Sequence, residues 1–181
     1  LVQVIVYPAG ASSSTHGYCM GGEYSGNDQV NNIQKFNFTS TANGTDVGDL
    51  TVVRDTLAGC QSTTYGYACG GHVAPPSNII DRVSFSTDGN ATDVGDLTVA
   101  RRFVSGTSSV THGYCAGGTT NLDVIDKFAF GSSATASDVG NLTVARQETS
   151  GQYSGDYCYA SGGTSPTTDT IDNSKKIAKS N

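Results

Sequence analysis

The 181-residue sequence has little charge of either sign and no tryptophan. Only 14% of its residues are charged, ten of them are basic, and the formal net charge is −6. Because no basic stripe is available to meet a phosphate backbone, we expect no nucleic-acid binding. No apolar stretch approaches the roughly 20 residues that a membrane-spanning helix needs, so we expect no membrane insertion.

Helical periodicity is absent as well, whereas glycine is abundant, with 23 residues. Hydrophobic residues make up 36% of the chain, which is too much for a flexible linker and enough for one domain with a real core. Low charge combined with much glycine, serine, threonine and asparagine is typical of short strands joined by tight turns. The composition therefore predicts an all-β fold.

The beginning of the chain carries no recognisable targeting signal. Residues 1–7 are apolar but have neither a basic n-region nor a small-residue cleavage pattern, and the first residue is not methionine. We expect a processed chain or a segment of a longer product.

An internal repeat is the dominant feature of the sequence. A glycine pair recurs at 21–22, 70–71, 117–118 and 162–163. A tyrosine stands ahead of each pair, at Tyr18, Tyr67, Tyr114 and Tyr157, and an isoleucine follows each pair, at Ile33, Ile80, Ile125 and Ile171. The phrase Asp-Val-Gly-Asp/Asn-Leu-Thr-Val occupies 46–52, 93–99 and 138–144, and is followed by Arg54, Arg101 and Arg146. We infer a single domain of four units, approximately residues 1–45, 46–92, 93–137 and 138–181.

Each unit has the pattern of β structure. Leu97 and Val99 alternate with polar or small residues, which is the period-two pattern of a half-buried strand. Clusters such as Asn43-Gly44 indicate turns. One small sheet cannot bury both of its faces alone, so neighbouring units must stack, and radial stacking produces the blades of a propeller.

The order of these motifs resembles the kelch repeat over nearly the whole chain. The motifs are Arg, a Ser/Gly-rich strand, Tyr-x-x-Gly-Gly, Ile-Asp-x-Phe and Leu-x-x-x-Arg. Units with Gly-Tyr-x-x-Gly-Gly, Ile-Asp-Lys-Phe and Asp-Val-Gly-Asp-Leu-Thr-Val-Ala-Arg are similar to repeats in structural proteins of aquatic bacteriophages. The resemblance implies antiparallel blades in a β-propeller-like arrangement. The sequence departs from kelch repeats in lacking their tryptophan, with Leu50, Leu97 and Leu142 near its place, and in carrying Ser174 and Lys176 where the third unit has Phe128 and Phe130.

The two ends of the chain suggest how a ring could close. Aligning Gly10 with the equivalent glycines of the later units places Leu1 opposite Leu50, so residues 1–6 are predicted to supply the last strand of a blade. This strand could complete the C-terminal blade of its own chain, which would hide an exposed edge. It could instead complete a blade in a neighbouring copy by strand addition. We favour closure within one chain.

The five cysteines carry no Cys-x-x-Cys zinc signature. Cys19, Cys115 and Cys158 each follow a tyrosine and are predicted to share one position on three blades. We expect the cysteines to be buried as small apolar residues, and we expect no metal and no cofactor. A pairing of Cys60 with Cys69 across a hairpin is the minor alternative.

Aspartate and histidine also recur at repeat positions. Asp46, Asp49, Asp93 and Asp96 could bind calcium, but we expect them to form Asx-turns and to pair with the repeat arginines. His16 and His112 occupy the same Thr-His-Gly-Tyr position, whereas a catalytic group normally occurs at one asymmetric place. We therefore expect no enzymatic activity.

Four Asn-x-Thr sequons could accept N-glycans in a secreted protein, although the motif arises easily in a chain of this composition. Their asparagines are Asn37, Asn43, Asn90 and Asn141. Asn43 and Asn90 are the better candidates because they fall in predicted turns.

Two functions remain open from the sequence. The resemblance implies a non-enzymatic structural or surface-binding protein of a bacteriophage virion, such as a decoration, tail or fibre component. Its partners would be other virion or fibre subunits, in a homo-oligomer, and possible contacts include a host-surface glycan stacked on Tyr24, Tyr65 or Tyr153. The alternative is a secreted extracellular glycoprotein, fibril subunit or glycan-binding module of a microbe. Either protein would lie on a virion surface or outside the cell.

Overall fold

The computed structural model describes residues 4–24, 28–131, 133–154, 157–164 and 171–173. These residues form fifteen β-strands in four antiparallel sheets, and within each sheet the strands lie side by side in chain order. No helix in this described part of the chain is long and apolar enough to cross a membrane. The all-β prediction is therefore confirmed.

Each sheet is one blade. The first contains β1 (Ala9–Ser12), β2 (His16–Tyr24), β3 (Asp28–Asn37) and β4 (Thr45–Asp49). The second contains β5 (Ala58–Gln61), β6 (Tyr65–Cys69), β7 (Ile79–Ser84) and β8 (Thr92–Asp96). The third contains β9 (Ser105–Ser108), β10 (His112–Ala116), β11 (Val124–Ala129) and β12 (Ser137–Asn141). The described strands of the fourth are β13 (Ser150–Ser154), β14 (Tyr157–Ser161) and β15 (Ile171–Asn173).

The first strand of every blade lies innermost. Strand β1 contacts β5, β5 contacts β9, and β9 contacts β13, so the blades follow one another around a common axis as a four-bladed β-propeller. The outer strands β4, β8 and β12 contain the Asp-Val-Gly phrase. The sequence-based unit boundaries at 46, 93 and 138 thus fall inside these strands, and each blade extends a few residues into the following unit.

Strand register corrects one of the sequence alignments. The inner glycine of each blade pairs with the residue that follows the repeat tyrosine, in the pairs Gly10–Cys19, Gly59–Ala68, Gly106–Cys115 and Gly151–Ala160. The equivalent of Tyr18 in the fourth blade is therefore Tyr159, and the prediction of Tyr157 was wrong. Cys158 consequently does not share the position of Cys19 and Cys115.

The core is divided among the three junctions between successive blades. One hydrophobic cluster joins the first two blades around Met20 and Leu50, one joins the second and third around Tyr67 and Leu97, and one joins the third and fourth around Leu142. Leu50, Leu97 and Leu142 are all buried. Apolar side chains of moderate size therefore fill the space between blades.

The first glycine of the first three pairs allows this close packing. Gly21 has a φ of 63°, a left-handed conformation that suits glycine, and a Cβ there would lie 2.7 Å from the carbonyl oxygen of Arg54. Gly70 and Gly117 repeat the arrangement, against the carbonyls of Arg101 and Arg146. The glycine pair is therefore a contact point between a blade and the segment that leads to the next one.

The described part of the N-terminal segment belongs to the first blade. Val6 exchanges two 3.0 Å backbone hydrogen bonds with Glu23, and Asp55 makes the same kind of bridge with His72 in the second blade. Residues 1–3 of the predicted closing strand lie outside the described residues. Among those described, no strand pairs with β15 as a fourth strand of the last blade.

Successive blades are also joined by backbone hydrogen bonds near the axis. Tyr7, Thr56, Phe103 and Glu148 occupy equivalent positions and all have φ between 53° and 56°. The amide of Thr56 donates to the carbonyl of Tyr7, that of Phe103 to Thr56, and that of Glu148 to Phe103, at 3.0, 3.0 and 3.1 Å. Within the described residues no such bond joins Tyr7 to Glu148.

Among the described residues, the contacts that join the other blades are thus missing between the first and fourth. Four of the five residues of β13 are exposed, whereas β5 and β9 have no exposed residue. A Cβ added to Gly10 would meet nothing within 4 Å, although its equivalents in the next three blades would each strike a neighbouring backbone. Both end blades therefore present an uncovered blade face within the described chain.

Candidate functional site

The most regular polar feature is a buried ion pair at each junction between blades. Its three copies are Arg54–Asp81, Arg101–Asp126 and Arg146–Asp172, with N–O distances of 2.8, 3.2 and 2.7 Å. The predicted partners, in the Asp-Val-Gly-Asp phrase, were wrong. The arginine instead binds the aspartate of the Ile-Asp motif in the following blade, because that carboxylate points into the same buried space.

The second and third blades show the contacts of the pair, although Nε and Nη1 of Arg101 are buried without a hydrogen-bond partner among the described residues. The amide of Arg101 donates to the carbonyl of Ser77 in the preceding blade, while its Nη2 donates to the carbonyl of Cys115 in the following one at 3.1 Å. The amide and hydroxyl of Thr98 donate to Asp126 at 2.9 and 2.6 Å. Arg101 and Asp126 are both fully buried. The arginine therefore links two blades through its main chain and its side chain.

Burial and ion pairing act on the arginine in opposite directions. Burial lowers the pKa of the Arg54 guanidinium, and the negative charge of Asp81 opposes this effect. A guanidinium remains protonated in proteins, so the pair is ionic and strongly desolvated.

The first blade has a neutral substitute for this pair. Counting back from the inner glycine, Ile5 occupies the position of Arg54, and Gln34 occupies that of Asp81. Gln34 is only 2% exposed, like the aspartates that it replaces. Both members of the pair are thus neutral in the first blade, which no other described blade precedes.

The Asx-turn prediction is confirmed for the Asp-Val-Gly phrase. The first aspartate of each copy accepts a hydrogen bond from the glycine amide two residues later, in the pairs Asp46–Gly48, Asp93–Gly95 and Asp138–Gly140. These aspartates are exposed and stabilise the outer strand locally.

One end of the propeller axis contains a cavity of about 510 Å³ that all four blades line. Its walls are Ser12, Ser13, Ser14, Gln61, Ser62, Thr63, Ser108, Ser109, Val110 and Tyr153. The turns between the first two strands of three blades converge here, and each is held by a serine, as in the 3.0 Å bond from the His16 amide to Ser13 Oγ. The lining is rich in hydroxyls, and none of the described residues that form it is charged.

Of the three tyrosines proposed for sugar stacking, the structure brings only Tyr153 to this cavity. Tyr153 occupies the register position of Ser12, Gln61 and Ser108, and is 40% exposed. Tyr65 instead lies under the guanidinium of Arg82, 4.6 Å from its ring centroid.

Tyr24, the third of them, lies at the far end of β2 and donates a hydrogen bond to Asn32 at 3.3 Å. Repeat alignment did not single out the cavity, although one serine of the turn recurs in three blades, as Ser13, Ser62 and Ser109.

The repeated histidines have a local structural partner. His16 and His112 each contact the hydroxyl of the preceding threonine through Nδ1, at 2.8 Å. Burial lowers the pKa of His112, and the charge of Lys127 acts in the same direction. These rings therefore sit at the turn in the way expected of repeated structural residues.

Three cysteines converge between the second and third blades. The sulfur atoms of Cys60, Cys69 and Cys115 all lie within 4.8 Å of one another, and all three residues are buried. No disulfide joins them, so the alternative of a Cys60–Cys69 bridge is not realised. Sequence spacing gave no sign of this cluster, because its members come from β5, β6 and β10.

The thiols of the cluster perturb one another. Hydrogen bonds from Cys115 and then Cys69 lower the pKa of the Cys60 thiol well below its ordinary value. Burial and hydrogen bonding to its two neighbours raise the pKa of Cys69 well above the ordinary value. Elsewhere, burial raises the pKa of Cys158 to about 11.

The four sequon asparagines all lie on the surface. Asn37, Asn43, Asn90 and Asn141 are exposed, and Asn43 and Asn90 fall between strands as predicted. The Oδ1 of Asn90 accepts a hydrogen bond from the Asp49 amide in the preceding blade at 3.1 Å.

These features define a four-bladed β-propeller with ion-paired blade junctions and a hydroxyl-lined axial cavity. Compared with known proteins, the chain matches no protein-family model and no curated protein.

Proposed function

We propose that this protein is a non-enzymatic structural and surface-binding component of a bacteriophage virion, such as a decoration, tail or fibre protein. The observation that carries the proposal is the pair of uncovered blade faces, on the first and fourth blades, which suits a subunit that assembles with its own copies. The assignment to a virion rests on the kelch-like motifs, which resemble repeats in structural proteins of bacteriophages.

The blade junctions give the assembly a defined geometry. At every junction the later blade places an inner glycine against the backbone of the earlier one, as Gly106 does against Gly59. The contact is heterologous, so the fourth blade of one copy has the surface that the first blade of another copy would accept. Gly10 and Tyr7 are the first-blade groups that such a contact would cover. We therefore propose that the partner is a second copy of this chain, bound head to tail.

A host-surface glycan is the ligand that best suits the axial cavity. Ser13, Ser62 and Ser109 surround it with hydroxyls, and Tyr153 offers an aromatic face on which a sugar ring can stack. The described residues of the lining are uncharged, which suits neutral hydroxylated ligands better than ionic ones. The cavity would act by recognition and not by catalysis.

Truncating Tyr153 tests whether the axial cavity binds a glycan. Tyr153→Ala is expected to weaken binding to host-surface polysaccharide about tenfold, since an aromatic anchor typically contributes 1–2 kcal/mol or more. Binding would be measured by titration calorimetry with purified polysaccharide. Phe38→Ala is the matched control, because Phe38 is also exposed but does not line the cavity. Equal losses in both variants would argue against the axial site.

The assignment to a virion is tested by determining where the protein is found. Peptides of this chain should be found in purified, nuclease-treated virions of the phage that encodes it, in a fixed number of copies per particle. Absence from such particles, with the protein recovered only from the medium or the cell surface, would end the virion proposal.

A secreted glycoprotein or fibril subunit of a microbe is the second candidate, and the exposure of all four sequons favours it. The intact mass of the natively isolated protein distinguishes the two. A chain at its sequence mass in a defined assembly supports the virion, whereas hexose-sized increments that map to Asn43 or Asn90 support the secreted glycoprotein.

A further inference from the structure

The three converging cysteines are not explained by the repeat. Three of the five cysteines of the chain meet at the junction of the second and third blades, with their sulfur atoms within 4.8 Å of one another. The same three positions exist at the other two junctions. They are occupied by Ala11, Met20 and Ala68 at the first junction, and by Thr107, Ala116 and Ala160 at the third.

The other junctions therefore serve as internal controls for packing. Ala11, Met20 and Ala68 all belong to one buried hydrophobic cluster, so these positions pack well without thiols. If the cysteines only filled space, we would expect them to be distributed over the equivalent positions of all three junctions. Here the thiols coincide at one junction, which points to a role that needs sulfur.

The donor set and the number of ligands indicate which ligand would suit the cluster. Thiolates are soft ligands that select Cu(I), zinc and iron–sulfur clusters. Structural zinc almost always takes four ligands, whereas the described residues offer three sulfur atoms here. Metal–sulfur bonds of about 2.3 Å would bring the three sulfurs to about 4 Å apart in a trigonal site, so only a small contraction is needed.

The surroundings keep water away from the three sulfur atoms. The cluster is enclosed by buried apolar side chains that include Leu97, Val104 and Phe128, which exclude water. The main-chain carbonyl oxygens of Thr107 and Tyr114 lie 3.3 and 3.5 Å from the Cys60 sulfur. The buried guanidiniums of Arg54 and Arg101 act electrostatically on Cys69 and Cys115. Each guanidinium is already paired with an aspartate, so it offsets only part of the negative charge that thiolate coordination brings.

We propose that Cys60, Cys69 and Cys115 form a three-coordinate binding site for one Cu(I) ion between the second and third blades. Binding forms three copper–sulfur bonds and releases to solvent the protons of those thiols that were protonated, without any change in oxidation state. The ion would join strands β5 and β6 of one blade to β10 of the next.

The site is tested by refolding the full chain anaerobically with Cu(I) held by a competing chelator. Loading during refolding is required because the three thiols are buried. Native mass spectrometry is expected to show about one copper ion per chain, and a cuprous-thiolate absorption in the near ultraviolet should accompany it. A Cys19→Ser/Cys158→Ala background, which keeps the cluster and removes the other two thiols, should bind the same single ion.

The matched variant transplants the first junction into the second. Cys60→Ala/Cys69→Met/Cys115→Ala reproduces the residues that pack at the first junction, so it should fold while its copper content falls about tenfold or more. Its far-ultraviolet circular dichroism and unfolding midpoint confirm folding. Retained copper in this variant, no copper in the background variant, or tighter binding of Zn(II) than of Cu(I) by the background variant would each overturn the proposal.

Discussion

Replacing Asp126 with asparagine is expected to lower the free energy of unfolding by about 3–5 kcal/mol, because the substitution leaves the buried Arg101 charge without its counter-ion. Both side chains are fully buried, and the carboxylate also accepts two hydrogen bonds from Thr98. Denaturant unfolding followed by circular dichroism measures the change, with the slope checked for constancy between variants.

The first blade supplies the compensating double variant. Arg101→Ile/Asp126→Gln copies the Ile5 and Gln34 combination, and it should recover more than half of the stability lost by Asp126→Asn. Arg101→Ile and Asp126→Gln alone complete a double-mutant cycle, and each is expected to be worse than the pair. A loss below about 1 kcal/mol for Asp126→Asn would contradict a desolvated ion pair, since that is the range of exposed pairs.

The repeat predicted the fold because each unit repeats its local signals at the same spacing. The inner glycines, the glycine pairs and the buried leucines all fall where strand pairing and blade packing need them. The strand period and the turn signals are local properties, and the sequence displays them directly. The antiparallel blades and their chain-order arrangement could therefore be inferred without coordinates.

The arginine partner was missed because it is distant in sequence. Aspartates a few residues before Arg101 are close in the chain, but they lie on the exposed outer strand and cap turns. The true partner, Asp126, is in the next blade. A sequence signal for it did exist, since the first unit replaces both members of the pair, with Ile5 and Gln34.

The fourth unit shows how a short local match can mislead. Tyr157-Cys158 resembles the Tyr18-Cys19 phrase, but Tyr159 stands three residues before its glycine pair, as Tyr18 does. Strand register depends on the hydrogen-bond ladder and not on phrase similarity, so the structure assigns the position to Tyr159.

The axial cavity and the thiol cluster could not be predicted from spacing. The cavity requires turns from separate blades to converge on the axis, and the cluster requires strands of two blades to pack face to face. Both are products of the radial stacking, which fixes which positions of neighbouring units meet. Once the stacking is known, equivalent positions can be compared between junctions. The three cysteines of the second junction then differ from the two alanines and the methionine at the first junction.

Adding one methyl group at Gly106 is expected to cost about 1–3 kcal/mol of stability, through overpacking of the junction between the second and third blades. The new Cβ would lie 2.3 Å from the carbonyl oxygen of Gly59 and 3.0 Å from its carbonyl carbon and amide nitrogen. Because the atoms in the way are main-chain atoms of an inner strand, they cannot move aside as the end of a side chain could. Thermal and denaturant unfolding of Gly106→Ala measures the effect.

Gly10→Ala is the matched control, and it also tests the proposed assembly. Within the described chain this Cβ meets no atom within 4 Å, so the stability of the isolated chain should change by no more than about 0.5 kcal/mol. If a second copy covers the first blade, the same substitution should dissociate the oligomer, which native mass spectrometry measures as a loss of the assembled species. If Gly10→Ala instead destabilised the monomer as much as Gly106→Ala does, the fourth blade of the same chain would have to cover Gly10. Self-association through this face would then be wrong, and closure within one chain would take its place.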